Sequence, residues 1–417
     1  GALSTSLPFV DPEVVLPADG SPPHPRLGGS DVHDKIRQGH ISVRDAAAVP
    51  LGDGPCLEQH GFEFVLGGLG GRVAAVLKEI GCDEVLRGDL AADTIYPGDL
   101  APQAKPDTSS QEAVGNMSDV ARRLVQRHGT DLEMAHMLML ALARLLTWRA
   151  VKFQGGWLFL LHCTPLGLLR RVVYPRNGHP AHCGAGAGVH IDQDIDGDPL
   201  RQMPLGAILR WFLARRWLRL MNVWMPVGGM AARPVCTLDL RSLRPEHRVR
   251  HRWLDHDGWF VLHDPEQSWW WHSSLGERLG DAVFFDTLRT PHAAFPLPGE
   301  ELLHEVRERL SGCLAKAGNP GHAREEIAAA LEWLRKGPPS SEDWPRSTAR
   351  ALGAAEAGLE EVLRLLEGQG PLPHRAVEDA LCKCLGCLQR HSVEARVVAI
   401  GPFALGSLAR AVAWSLL

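Results

Sequence analysis

Asp281-Ala282-Val283-Phe284-Phe285-Asp286, followed by Thr287-Leu288-Arg289-Thr290-Pro291-His292, decides how the core of this chain is read. An apolar run held between two aspartates and closed by a proline-containing turn is too short for a helix and fits a buried strand. Working outward, Trp157 to His162, Leu168 to Tyr174, Leu218 to Trp224, Val235 to Asp239 and Trp259 to His263 repeat the pattern, separated by Gly, Pro and Asp. Short strands in such a series predict an all-β barrel or sandwich.

On either side of this series the apolar spacing is helical. Gly71 to Ile80, Ser118 to Gln126 and Asp131 to Trp148 predict helices ahead of most of the strands, the last with Met134, Met137, Leu138, Ala141, Leu142 and Leu145 on one face. Arg324 to Leu334, Ala349 to Leu366, Arg375 to Leu388 and Val393 to Leu416 predict an all-α region at the C-terminal end. Residues 1–30 are rich in Pro, Gly and Ser and read as a flexible arm. The expected division is therefore an arm over 1–30, a central domain over 31–317 and a helical region over 318–417, a surface for protein contact.

Lys and Arg number 44 against 49 Asp and Glu, a formal charge of −5 spread along the chain. No basic stripe emerges, which argues against nucleic acid; the cluster from Arg241 to Arg252 reads as a solvated loop. Nine cysteines lack the paired spacing of a disulfide framework and point to a reducing compartment. Cys382, Cys384 and Cys387 have no second C-x-x-C pair for zinc and read as small buried apolar residues. Gly1 to Gly29 lacks the basic and apolar segments of a signal peptide. The most apolar window, Met134 to Val151, is broken by His136, Arg144 and Arg149, so no membrane span is expected. Together these features predict a soluble, cytoplasmic protein.

Chemistry enters at Val189-His190-Ile191-Asp192. Side chains alternate on an extended segment, so His190 and Asp192 reach the same side while Ile191 turns into the wall. His292, just past the strand Ala282 to Phe285, supplies a third ligand. Two histidines and one carboxylate form a facial triad that leaves coordination positions open on iron(II). Arg307 follows as a guanidinium able to grip a carboxylate with two hydrogen bonds.

From Gly188 to Arg307 the order of motifs resembles the iron(II) and 2-oxoglutarate-dependent hydroxylase/desaturase family typified by gibberellin desaturase and the aspergillic-acid pathway oxygenase. Gly188-Val189-His190-Ile191-Asp192-Gln193 resembles its metal block, and Met221-Asn222-Val223-Trp224-Met225-Pro226-Val227 its asparagine-valine-tryptophan block. Pro234 to Ser242, Trp269-Trp270-Trp271, Arg289 to Phe295 and His304-Glu305-Val306-Arg307 follow in the family's order, and Leu57 to Phe62 echoes its N-terminal part. The resemblance implies a double-stranded β-helix of jelly-roll or cupin type with flanking helices. It also implies iron(II), 2-oxoglutarate and dioxygen, with a small natural-product-like molecule hydroxylated or desaturated as succinate and carbon dioxide leave.

Residue by residue, His190, Asp192 and His292 match the metal ligands and Arg307 the 2-oxoglutarate anchor. Arg289 matches a position able to touch co-substrate or substrate; Asn222 and Trp224 match positions that line the pocket. Met225 stands where the family has arginine, and Trp270 and Trp271 replace tyrosines in a block assigned to the substrate pocket. Leu205 to Arg216 looks like an insertion. A carboxylate at Asp192 argues against a halogenase, which leaves that position to chloride. Two other classes remain open: a metal-dependent isomerase or 2-oxoglutarate-independent dioxygenase on the same barrel, and an adaptor that uses the helical C-terminal region.

Overall fold

The computed structural model describes residues 2–10, 27–28, 36–50, 52–67, 94–95, 146–171, 188–196, 206–226, 234–252, 257–278, 280–298, 300, 305–306, 309, 320–336, 346–367, 381 and 390–400. The strands in chain order begin with β1 (Ala2–Val10), β2 (Leu27–Gly28), β3 (Ile36–Asp45), β4 (Phe62–Val65), β5 (Thr94–Ile95), β6 (Arg149–Phe153), β7 (Gly156–Arg171) and β8 (His190–Ile191). They continue with β9 (Leu218–Pro226), β10 (Val235–Leu238), β11 (Arg248–Arg252), β12 (Asp257–Val261), β13 (Trp269–Trp271), β14 (Ala282–Asp286), β15 (His292–Ala294) and β16 (Arg390–Ile400). The helices are α1 (Leu57–His60), α2 (Gly206–Ala214), α3 (Pro320–Arg335) and α4 (Arg346–Glu367).

Two sheets result. The larger has the order β1-β3-β13-β10-β15-β8-β12-β11-β2, and the smaller the order β4-β14-β9-β16-β7-β5, with β6 also on β7. Residues paired directly across neighbouring strands share a face. In the larger sheet, pairing places Trp270, Thr237, His292 and His190 in one row on one face. The opposite face buries Leu7, Phe9, Val43, Cys236, Leu238, Trp269, Trp271 and Phe295 in a single core cluster. In the smaller sheet Phe62, Phe285, Asn222 and Arg396 share a row, with Val283 and Trp224 in the next row of the same face. A second cluster joins Val235 and Trp270 of the larger sheet to Phe62, Trp224, Val283 and Phe285 of the smaller. The two faces therefore pack on one another, and whatever lies beside them lies between the sheets.

The β-rich core agrees with the strand series expected between Trp157 and Asp286, and α3 and α4 agree with the two helices expected near Arg324 and Ala349. Two expectations are corrected. Ala2–Val10 is a strand rather than part of a flexible arm: Leu7 and Phe9 recur at period two and are buried, and every residue of β1 pairs with β3. The C-terminal region is not all-α, because Arg390–Ile400 is a strand at the centre of the smaller sheet. Ser392, Ala395, Val397 and Ala399 are buried while Glu394, Arg396, Val398 and Ile400 are half-buried. From 394 onward that alternation is the two-residue period of a strand, although Ala, Glu and Arg are good helix formers. The expected helices at 71–80, 118–126 and most of 131–148, the candidate at 375–388 apart from Leu381, residues 401–416 and the cysteines at 382, 384 and 387 lie outside the described residues. Among those described, no helix is long and apolar enough to cross a membrane.

Candidate metal centre

His190 opens the two-residue strand β8, and His292 opens β15 directly opposite it. Their ring centroids lie 4.4 Å apart with the planes tilted by 53°, so two imidazoles from distant parts of the chain meet on adjacent strands. Asp192 follows β8 by one residue. Its Oδ1 lies 3.3 Å from His190 Nε2 and 3.7 Å from His292 Nε2. Ligands about 2.1 Å from one ion sit ~3 Å apart when adjacent, so small movements suffice to close this set around a metal. Among the described residues the three form the one group of His, Cys, Asp and Glu compact enough to do so.

Each ring is held by its other nitrogen. His190 Nδ1 lies 2.8 Å from the Gly188 carbonyl, and His292 Nδ1 lies 3.3 Å from the Thr290 carbonyl. A carbonyl can only accept, so both Nδ1 atoms carry the proton and both Nε2 lone pairs face Asp192. The far oxygen of the carboxylate is held as well. Asn222 Nδ2 donates a short hydrogen bond to Asp192 Oδ2 and another of 2.9 Å to Glu394 Oε1. Asn222 Oδ1 accepts from Thr287 Oγ1 at 2.7 Å and from Arg396 Nε at 3.3 Å. Arg396 Nη2 stands 3.7 Å from Asp192 Oδ2. The fully buried Asn222 thus has donors and acceptors matched on every side.

Electrostatics favour the metal-binding protonation state at His292 and Asp192, whereas His190, beside the carboxylate, is drawn toward its protonated form. Burial drives the His292 imidazole down, to about 4, with the Asp192 charge opposing only in part. Burial also works against protonated His190, but the hydrogen bond and charge of Asp192 outweigh it and raise this ring. For Asp192 burial pushes upward, yet His292, His190 and Arg396 hold the carboxyl well below the usual range. At neutral pH the set presents a carboxylate and a neutral His292, as a divalent cation requires.

The other expected residues separate into groups. Asn222 is brought to the centre, positioning Asp192 rather than lining open space. Trp224 and Trp270 lie on the faces turned between the sheets, both largely in the shared core. Met225 and Trp271 do not face the centre. Each neighbours an inward residue and so turns to the opposite side of its sheet, where Trp271 packs edge-on against Phe295 at 5.4 Å. Arg289 sits 4.0 Å from Asp286 and lines a neighbouring cavity rather than touching the ligands. Arg307 lies outside the described residues. Sequence reasoning missed Thr237, Thr287, Glu394 and Arg396. The alternation of Glu394 and Arg396 with buried small residues was the available signal for the last two.

Thr237 Oγ1 and Trp270 Nε1 are buried without a hydrogen-bond partner among the described residues, in the row that holds His292. Orphaned polar atoms in that row fit a polar ligand beside the ion. The support given by Asn222 is directly measurable. Asn222→Ala is expected to weaken cobalt(II) binding by about 10- to 100-fold. It also removes one hydrogen-bond partner each from Thr287, Glu394 and Arg396, lowering stability by ~1–3 kcal/mol. A cobalt titration and a thermal melt check both.

No family model matches the chain, and no curated protein does either. Among solved structures it is similar to one described as iron and alpha-ketoglutarate-dependent endoperoxidase NvfI with different conformation. The identity is 13%, the alignment covers 96% of this chain and 98% of that one, and the TM-score is 0.43. A second structure of that endoperoxidase gives 15% identity, 96% and 98% coverage, and a TM-score of 0.40. A likeness this remote carries no chemistry across. The chemistry rests on the geometry of His190, Asp192 and His292.

Proposed function

We propose that this chain is a non-haem iron(II) and 2-oxoglutarate-dependent oxygenase on a double-stranded β-helix, hydroxylating or desaturating a small molecule with release of succinate and carbon dioxide. The observation that supports it most is the triad itself: two imidazoles tied back through Nδ1, and one carboxylate held by its outer oxygen. Such a set occupies one side of an ion and leaves the other to co-substrate and dioxygen. Iron, when bound, supplies the oxidising chemistry with dioxygen and 2-oxoglutarate. The chain's own residues fix the ligands, keep His292 unprotonated and offer Thr237, on the strand next to His292, as a donor.

Arg307 is the proposed partner for the far carboxylate of 2-oxoglutarate, on the strength of its place after His292 in the ordered motifs. Charged hydrogen bonds of this kind contribute about 1.5–3 kcal/mol. Arg307→Ala is therefore expected to raise the apparent 2-oxoglutarate dissociation constant by roughly 10- to 100-fold. The readout is the visible charge-transfer band that forms anaerobically only when iron(II) and 2-oxoglutarate are both present. Absence of that band from the parent protein would remove the oxygenase reading. An unchanged constant in the variant would remove only the assignment of Arg307. The adaptor alternative loses support at Arg390–Ile400, because β16 belongs to the smaller sheet.

A further inference from the structure

We infer that the cavity next to the metal centre binds an oxyanion, a carboxylate or phosphate group at one end of a small organic substrate. The cavity measures about 450 Å³ and is lined in part by Arg216, Arg219, Arg248 and Arg289. Its walls are continuous with those of the centre. Leu218 and Leu220 share a strand face with Asn222, and two residues along a strand span about 7 Å. Asp194 and Ile195 follow Asp192, while Leu288 and Arg289 stand just ahead of His292. The cavity thus borders the segments that carry Asp192, Asn222 and His292, while its Arg248 and Trp259 lie on the face of β11 and β12 turned away from His190.

The charges do not balance internally. Asp194 pairs with Arg250 at 3.0 Å and Asp196 with Arg210 at 3.4 Å, arginines that are not part of the lining. Arg219 and Arg216 share Glu58. Among the described residues Arg289 has only Asp286, at 4.0 Å, and burial makes that carboxyl easier to protonate. Arg248 makes no ion pair within 4 Å among the described residues. Among the described residues the Nε atoms of Arg219 and Arg248 are buried without an acceptor, and the Arg219 side chain is 9% exposed. Burial, and repulsion from Arg216, Arg248 and Arg219, weigh against the charge on Arg289. A guanidinium cluster short of acceptors matches the planar, two-toothed geometry of a carboxylate or phosphate.

Arg216 adds an independent observation. It follows α2 at the left-handed position, φ 56°, with its N–H on the Leu213 carbonyl at 3.0 Å and the Trp217 N–H on Phe212 at 3.0 Å. This two-bond helix ending favours glycine at that residue, so an arginine there costs stability. Despite that cost Arg216 stands at the cavity wall. Leu213, Leu218, Leu220, Leu288 and Trp259 supply an apolar lining for the rest of the ligand. A cavity of this size holds more than an inorganic ion.

Assigning the anion to the substrate rests on the oxygenase reading; the anion site itself does not. Calorimetric titration of the full-length, cobalt-loaded chain with inorganic sulfate, a dianion and a poor metal ligand, tests it at low ionic strength. The parent is expected to bind sulfate at millimolar concentration or below, with no change in the cobalt visible spectrum. Arg248→Gln should weaken this at least tenfold, and Arg216→Gly at least threefold. Arg216→Gly should also melt no lower than the parent, which separates lost binding from lost folding if Arg248→Gln does not fold. Equal sulfate affinity in parent and Arg216→Gly, no binding by the parent, or a shifted cobalt spectrum would overturn the site. The affinity for 2-oxoglutarate should stay unchanged in both variants; a parallel fall would give the arginines to the co-substrate and overturn the substrate assignment. Sulfate binding in a chain that forms no 2-oxoglutarate-dependent band would leave the anion site standing and remove the oxygenase reading alone.

Discussion

A chain ending at residue 389 is expected to lose its cooperative thermal transition. β16 is paired with β9 at nine positions and with β7 at eleven, so it forms the middle of the smaller sheet. A net backbone hydrogen bond is worth about 1 kcal/mol, and a domain is stable by only ~5–15 kcal/mol. Removing both ladders, together with buried Ala395, Val397 and Ala399, exceeds that margin. The same cut takes Glu394 and Arg396 from Asn222, so the proposed metal ligand Asp192 loses its support along with the sheet. Differential scanning calorimetry and cobalt binding on the truncated chain measure both effects. A truncated chain that melts like the parent and still binds cobalt would show that β16 is not part of the core.

The second large effect is chemical. Asp192→Ala is expected to abolish substrate-dependent succinate formation, a fall of more than about 1,000-fold in line with the loss of several kcal/mol of metal-centred stabilisation. The fold should survive, because Asp192 lies just after β8 and outside both core clusters. Alanine in its place leaves two imidazoles without their anionic partner. It also strands Asn222 Nδ2, which keeps only Glu394. Turnover is measured as succinate released per enzyme, with the melt recorded on the same sample. Undiminished succinate formation would mean that the carboxylate is not a ligand.

How much of this was legible beforehand depended on whether a signal was local. The strands between Trp157 and Asp286 were readable because apolar runs bounded by Gly, Pro and Asp leave little else to form. The ligand pair His190 and Asp192 was readable because period-two spacing alone places both on one side. Its partner His292 needed a second strand, and only its position after Ala282–Asp286 indicated one. β16 was hidden by composition: Val393 to Leu416 is full of helix-forming residues, and the alternation of buried and half-buried positions is short. Nothing local tied Arg396 to a site built from residues 190–292, since that contact exists only because β16 inserts beside β9. Met225 and Trp271 were placed in the pocket by motif order. The two-residue period of β9 and β13 turns them away and leaves Trp224 and Trp270, placed there by the same motifs, facing inward. The arginine cavity is assembled from helix end, strand and two loops, so no single stretch of sequence displays it.

The most direct test of the centre is anomalous diffraction at the iron edge from crystals of the full-length protein grown anaerobically with iron(II). The geometry predicts one strong peak about 2.0–2.2 Å from His190 Nε2, Asp192 Oδ1 and His292 Nε2, with Asn222 still on Asp192 Oδ2. An iron peak at other residues, or none at these three under saturating iron, would contradict the assignment.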